Sequence, residues 1–228
     1  MSGNKNKKIR HICTEVKRES MNTKEIKVVI LDFDDTIYRG DVWAGWGEYV
    51  EGFLTKEFKT QEVAQDFMAR YQIDDHTNGH NIAKAMIKEK GSAKTFVRFM
   101  EKNFYQLPLK NLSHLDEELL KRVAKKFSLY IVSNSTKRYV KFHLKKFGIN
   151  KNMFKKIYQN NFYAHNTTKT PYYAKILARE KVAPHEAVMI GDSYENDIVP
   201  AINMGINGVH IKSLAETTTV LKNLCEGV

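Results

Sequence analysis

Residues 28–37 read Val28-Val29-Ile30-Leu31-Asp32-Phe33-Asp34-Asp35-Thr36-Ile37. Four apolar residues deliver two carboxylates, one residue apart, to the point where the apolar run breaks. Such a run suits a central parallel strand covered on both faces. Ligands of open α/β sheets bind beyond the carboxyl ends of strands of this kind. Residues two apart in extended chain point to the same side, so Asp32 and Asp34 are expected to face one small volume, where two anions repel. A hard divalent cation such as Mg²⁺, held by one or two carboxylates and by substrate phosphate oxygens, offsets that repulsion; protonation of one partner does so too. Both solutions suit phosphoryl transfer. Acidic turns are common, so Asp-x-Asp gains its weight only from the rest of the chain.

The chain has 228 residues, enough for a full core and a sizeable insertion. Its apolar fraction of 42% and charged fraction of 28% are those of an ordinary soluble globular protein. No run approaches the roughly 20 apolar residues of a membrane span, and the N-terminus lacks a signal-peptide pattern. A cytoplasmic protein without membrane contact is the expectation. Cys13 and Cys225 lie near opposite ends, which indicates neither a disulfide framework nor a zinc site. The net charge of +11 suits nucleic acid or an anionic small substrate. Basic residues cluster in the tail (Lys5, Lys7, Lys8, Arg10) and between Lys137 and Lys156, where eight occur with no acid between. No nucleic-acid motif or pattern of stacking aromatics accompanies them, so a solvated face is the favoured reading and a nucleic-acid partner is disfavoured.

Residues 1–24, rich in Lys, Asn and Ser, are expected to form a flexible basic arm. The first strand follows from about Lys27 to Phe33. After Ile37 the pattern turns helical, with apolar stripes at Trp43, Trp46, Val50, Phe53 and Leu54, then at Val63, Ala64, Phe67, Met68 and Tyr71, then at Ile82, Ala85 and Met86, then at Phe96, Val97, Phe99 and Met100. Gly91 is expected to end the third helix and Ser92 to cap the fourth. His76 and His80 are four apart, but Gly79 lies between them and no Glu follows His76, so a solvated joint or substrate-facing loop is favoured over a metal site. Ser113 to Asp116 has capping-box spacing for the next helix. From there short apolar runs alternate with helices: strands at 129–132, 156–158, 187–190 and 208–211, and helices at 137–147 and 172–181.

Three of these strands end in polar signatures: Asp32/Asp34, then Ser133-Asn134, then Asp192 with Asp197. Lys169 precedes the helix before the fourth. That ordered set resembles the haloacid dehalogenase superfamily over about residues 25–212, with Asp-x-Asp-x-Thr at Asp32–Thr36, a Ser at the second strand end, the Lys, and Gly-Asp-x-x-x-x-Asp at Gly191–Asp197. The resemblance implies an α/β fold, a Rossmann-like parallel sheet core formed by residues 25–40 and 112–228, with a four-helix cap of the C1 type inserted at 41–111. It also implies Asp32 as nucleophile and Asp34 as acid and base. Asp32, Asp192 and the backbone carbonyl of Asp34 would hold Mg²⁺, with Asp197 orienting Lys169 or a metal-bound water. Ser133 and Lys169 would meet the phosphoryl group, joined by Thr36 and Asn134.

An Asp at position 34 separates phosphatases and phosphomutases from dehalogenases, which need no leaving-group acid. The expected activity is hydrolysis of a small phosphate monoester, a nucleotide or sugar phosphate, through an aspartyl phosphate. A phosphomutase, or a non-catalytic protein binding through its basic surface, is the alternative. Arg39, Trp43, Trp46, His76, Asn78 and His80 are cap-side candidates for reading the substrate. Asp35 replaces the Gly often found there and is read as a turn residue. Oligomeric state has no signal in the sequence.

Overall fold

A computed structural model describes residues 22–41, 46–74, 79–103, 110–160 and 168–227. In chain order its elements are β1 (Val28–Leu31), β2 (Tyr38–Asp41), α1 (Trp46–Phe58), α2 (Gln61–Arg70), α3 (Gly79–Lys90), α4 (Lys94–Asn103) and β3 (Lys110–His114). There follow α5 (Glu117–Lys126), β4 (Ser128–Ser133), α6 (Lys137–Lys146), β5 (Lys156–Gln159), α7 (Thr170–Glu180), β6 (Ala187–Gly191), the short α8 (Val199–Ile202), β7 (Asn207–His210) and α9 (Leu214–Glu226).

Five strands form a parallel sheet in the order β5-β4-β1-β6-β7, with β1 at the centre. All four residues of β1 are fully buried because both sheet faces are covered. The period of two sorts them: Val29 and Leu31 pack with α5, α6 and α9 through Leu120, Val140 and Leu221, whereas Val28 and Ile30 pack with α7 through Tyr173 and Ile176. Burying an aliphatic side chain of this kind contributes about 1.5–3 kcal/mol, so the strand that presents Asp32 is firmly anchored. It also reaches one bond further than its hydrogen-bonded ladder, since the Asp32 N–H donates to the Ile190 carbonyl at 3.0 Å.

The four inserted helices bury a separate set of residues. Val50, Phe53, Leu54, Ala64, Phe67, Ile82, Met86, Phe96 and Met100 form one cluster, with Phe53–Phe99 and Phe67–Tyr71 ring contacts at 4.6 and 4.9 Å. Gly91 takes a left-handed φ of +68° directly after α3, and Ser92 Oγ accepts the Lys94 N–H at 3.2 Å. Val63 departs from its expected stripe and is 43% exposed. Trp43, His76 and Asn78, the side chains of Trp46 and His80, and most of the basic arm lie outside the described residues.

The two junctions of the insertion differ from the sequence expectation. Tyr38–Asp41 is strand, not the start of a helical region, and it pairs antiparallel with Lys110–His114 in a two-stranded sheet. Tyr38 is opposite His114 and Arg39 opposite Ser113. Ser113 is therefore in a strand, and α5 is capped by Asp116, whose carboxylate accepts the Glu118 N–H at 2.7 Å. Four residues are too few for periodicity to show, and β pairing supplies the hydrogen-bond partners the isolated sequence leaves unspecified.

Candidate active site

The carboxyl ends of β1, β4 and β6 converge on one volume. Asp32 leaves β1, is 7% exposed, and accepts from Lys169 Nζ at 2.6 Å. Lys169 precedes α7, whose first turn holds Pro171, where the missing N–H costs nothing. The same Nζ donates to Asp197 Oδ1 at 2.5 Å, so one buried ammonium bridges two buried carboxylates. Asp197 sits on a π-helical turn, Tyr194–Ile198, a wide turn common at functional sites. Its other oxygen accepts the Ser193 N–H at 3.1 Å. Gly191 makes this possible: a Cβ there would lie 2.7 Å from the Asp197 carboxyl carbon.

Asp34 is two residues from Asp32 but belongs to a different network. Its Oδ1 accepts from the Tyr38 hydroxyl at 2.7 Å and its Oδ2 from Ser135 Oγ at 2.6 Å, with Ser133 Oγ at 3.4 Å. The Ser135 N–H donates to Ser133 Oγ at 2.9 Å. Asn134 accepts from Asn160 Nδ2 at 2.9 Å, and the Asn160 N–H donates to the Ser133 carbonyl at 2.8 Å, which holds the loop after β4. Thr36 is wholly buried, and its Oγ1 has no hydrogen-bond partner among the described residues.

The electrostatics are dominated by burial. Burial pushes Asp32 well above the ordinary carboxylate range; Lys169 pulls it down, and Asp197, Asp34 and Asp192 push it up again. For Lys169 burial works against the charge, yet Asp197 and Asp32 outweigh it and hold the ammonium above its usual range. Burial also raises Asp34, against the hydrogen bonds from Ser135 and Tyr38. Asp192 is raised to about 6 by burial, then by Asp197 and Asp35. Asp35 adopts a left-handed φ of +54°, which explains why a Gly suits this position and why Asp tolerates it. Its side chain is 54% exposed and lies 3.8 Å from Arg39.

Asp32, Asp192 and Asp197 each offer an oxygen within 4.8 Å of the others. One ammonium does not balance three carboxylates, and an all-oxygen donor set suits a hard divalent cation. The carboxylate of Asp34 is not in this group, being turned to Tyr38 and the serines. Beside the loop after β4, a cleft of about 320 Å³ is lined by Arg98, Glu101 and Lys102 of α4 and by Thr136, Arg138 and Gln159 of the core. Gln159 of the edge strand β5 is the register partner of Ser133, so β4 lies between this side of the cleft and the strand that presents Asp32.

Sequence reasoning missed Tyr38, Tyr139 and Asn160, which hold the motif residues in place. Tyr38 is adjacent to the first motif and could have been found as a polar tip on a buried ring; Asn160 follows a short strand and carries no such signal.

The fold has many solved counterparts. A phosphatase of this fold from Thermococcus onnurineus aligns with a TM-score of 0.57 at 19% identity, covering 86% of this chain and 98% of its own. A haloacid dehalogenase-like protein from Streptococcus pneumoniae gives 0.55 at 16% identity, with 87% and 92% covered. The magnesium-bound hydrolase YfnB from Bacillus subtilis gives 0.52 at 18% identity, with 86% and 99% covered. None of the curated protein sequences matches significantly. The family model for haloacid dehalogenase-like hydrolases matches residues 29–211, and with these residues at these strand ends the chain belongs to that hydrolase family.

Proposed function

We propose that this enzyme is a Mg²⁺-dependent phosphatase that hydrolyses a small phosphate monoester through an aspartyl phosphate. The observation that carries the reading is the division of the two carboxylates at the end of β1: Asp32 is tied to Lys169 beside Asp192 and Asp197, whereas Asp34 is tied to Tyr38 and Ser135. One is set among charges, as a nucleophile needs; the other is held apart, as a proton carrier needs.

In the first step an Asp32 oxygen attacks phosphorus and the bond to the leaving oxygen breaks, that oxygen taking the proton from Asp34. In the second, Asp34 removes a proton from water, which attacks phosphorus; inorganic phosphate leaves and the Asp32 carboxylate is restored. Ser133 donates to a phosphoryl oxygen, and Lys169 neutralises charge that develops there. Asn134 and Thr36 shape the same loop ends. Asp32 and Asp192, with the Asp34 backbone carbonyl, would hold Mg²⁺, which when bound supplies charge neutralisation between two anionic reactants. Asp197 positions Lys169. The oxygen donor set and the magnesium-bound Bacillus subtilis relative favour this ion. Arg98, Lys102 and Arg138 give the neighbouring cleft a cationic lining that draws an anionic substrate, with nucleotides and sugar phosphates as the classes to test.

Turnover of p-nitrophenyl phosphate tests the mechanism. Activity is expected to vanish in EDTA and return with Mg²⁺, and Asp32→Asn is expected to lower kcat by at least about 10³-fold, as loss of a nucleophile does. Unchanged turnover by Asp32→Asn would sink the covalent mechanism. A screen of phosphorylated metabolites then identifies the substrate.

A further inference from the structure

Tyr38 and Tyr139 are buried tyrosines that the mechanism above leaves unused. Tyr38 stands at the start of β2 and Tyr139 in the first turn of α6; they are 1% and 3% exposed. Their hydroxyl oxygens are 2.6 Å apart, and the Tyr38 hydroxyl is 2.7 Å from Asp34 Oδ1. The hydroxyls thus form a chain that ends on one oxygen of the carboxyl group. Neither ring is free to turn. Tyr38 lies 5.1 Å from Phe33, 5.3 Å from Phe147 and 6.0 Å from His143, and Tyr139 meets Phe33 edge-on at 6.1 Å and His143 at 4.2 Å. Apolar packing therefore fixes where the hydroxyls are, and the hydroxyls fix Oδ1.

A carboxyl group held at one oxygen by a rigid partner has its other oxygen aimed. Asp34 Oδ2 points to Ser135 and Ser133, the edge at which the phosphoryl group is read to bind. We propose that Tyr38 is a positioning residue, backed by Tyr139, that holds Asp34 Oδ1 so that Oδ2 faces the oxygen leaving phosphorus. The inference rests on the reading of Asp34 as the proton carrier. It assigns the two oxygens of one carboxyl to different tasks: Oδ1 anchors, and Oδ2 hands over the proton. A side chain relieved of its anchor would swing about χ1 and χ2 and spend less time in the productive geometry.

The test compares kcat/KM for two aryl esters, p-nitrophenyl phosphate and phenyl phosphate. The first has a good leaving group that needs little proton assistance, the second a poor one that needs more. Tyr38→Phe keeps the ring and removes only the anchoring hydroxyl. It is expected to lower kcat/KM for phenyl phosphate about tenfold more than for p-nitrophenyl phosphate, the size of one lost hydrogen bond. Tyr139→Phe is expected to act in the same direction and less strongly, and it carries the test should Tyr38→Phe not fold. Asp34→Asn serves as the reference and is expected to widen the gap between the esters further. If Asp34→Asn widens the gap while Tyr38→Phe, or Tyr139→Phe in its place, lowers both esters equally, the tyrosines only pack and the inference is overturned. If Asp34→Asn itself lowers both equally, the role of Asp34 is what fails.

Discussion

The end of the parallel sheet and the four-helix insertion both contain ion pairs, and the two sets are worth very different amounts. In the insertion, Arg70 meets Asp66 at 2.9 Å and Glu89 at 2.8 Å, and Lys90 meets Glu57 at 2.8 Å, with every side chain at least 20% exposed. Water competes for each of these, and such pairs add little. At the sheet end, Lys169 is 1% exposed between carboxylates at 10% and 0%. There the partners cannot turn to solvent, so each depends on the other. The insertion is organised by apolar filling with charge at its rim; the sheet end is organised by charge enclosed in apolar filling.

The contrast can be broken from the charged side first. Lys169→Met leaves Asp32 and Asp197 buried without a counter-charge. It is expected to cost about 3–5 kcal/mol in urea denaturation, the range for breaking a buried pair, and to abolish turnover. Arg70→Met, the same change at an exposed pair, is expected to leave the urea midpoint almost where it was. Equal losses in the two variants would erase the distinction.

From the apolar side, Phe67→Ala opens a cavity in the helical cluster, where Phe67 is fully buried. A loss of about 3–5 kcal/mol is expected. Because the helices bury their own cluster, the loss should be local: hydrogen exchange should speed up across α2 and α3 while β1 and β6 stay protected. Uniform loss of protection would mean that the two regions unfold as one.

A smaller effect comes from His143, a buried base beside the anchoring tyrosines. It is fully buried, and neither ring nitrogen has a hydrogen-bond partner among the described residues. Burial, aided by Lys146, lowers its pKa to about 4. The unfolded chain, near the ordinary value of about 6.5, therefore takes up a proton before the folded one does. Stability is complete above that value and declines as pH falls through the window down to about 4. The carboxylates of Asp32, Asp34 and Asp192, raised by burial, work in the opposite direction, so thermal melts between pH 7 and 4 should show the decline as the difference between wild type and His143→Phe, wild type losing more as the pH falls.

How much of this was legible from residues alone depended on how local the signal was. Each strand of the parallel sheet carries its own apolar run, and β1, β4 and β6 end in the polar residues that converge. The order of Asp32, Ser133, Lys169 and Asp192 was therefore readable before any coordinate. The β2–β3 pair was not, because its strands are four and five residues long and are separated by the whole insertion. The same pairing takes Ser113 into a strand and leaves the capping of α5 to Asp116. The separation of Asp34 from the metal-competent carboxylates was also hidden. Alternation places both carboxylates on one side of an ideal strand, but β1 ends at Leu31, and the turn over 35–37, closed by the Ile37 N–H on the Phe33 carbonyl, brings Asp34 to Tyr38 instead. Asp35 became intelligible only through its left-handed backbone.

Gly191 ties two positions into a single inheritable unit. The volume its Cβ would need is already filled by the carboxylate of Asp197, which reaches back across the π-helical turn to Lys169. A change at 191 alone displaces that carboxylate, and a shorter residue at 197 alone empties the space while leaving Lys169 with one partner. Neither single step preserves the ammonium's setting. Variation at these two positions is thus constrained as a pair: the smallest residue at the end of one strand and an acid six residues later persist, or are lost, together.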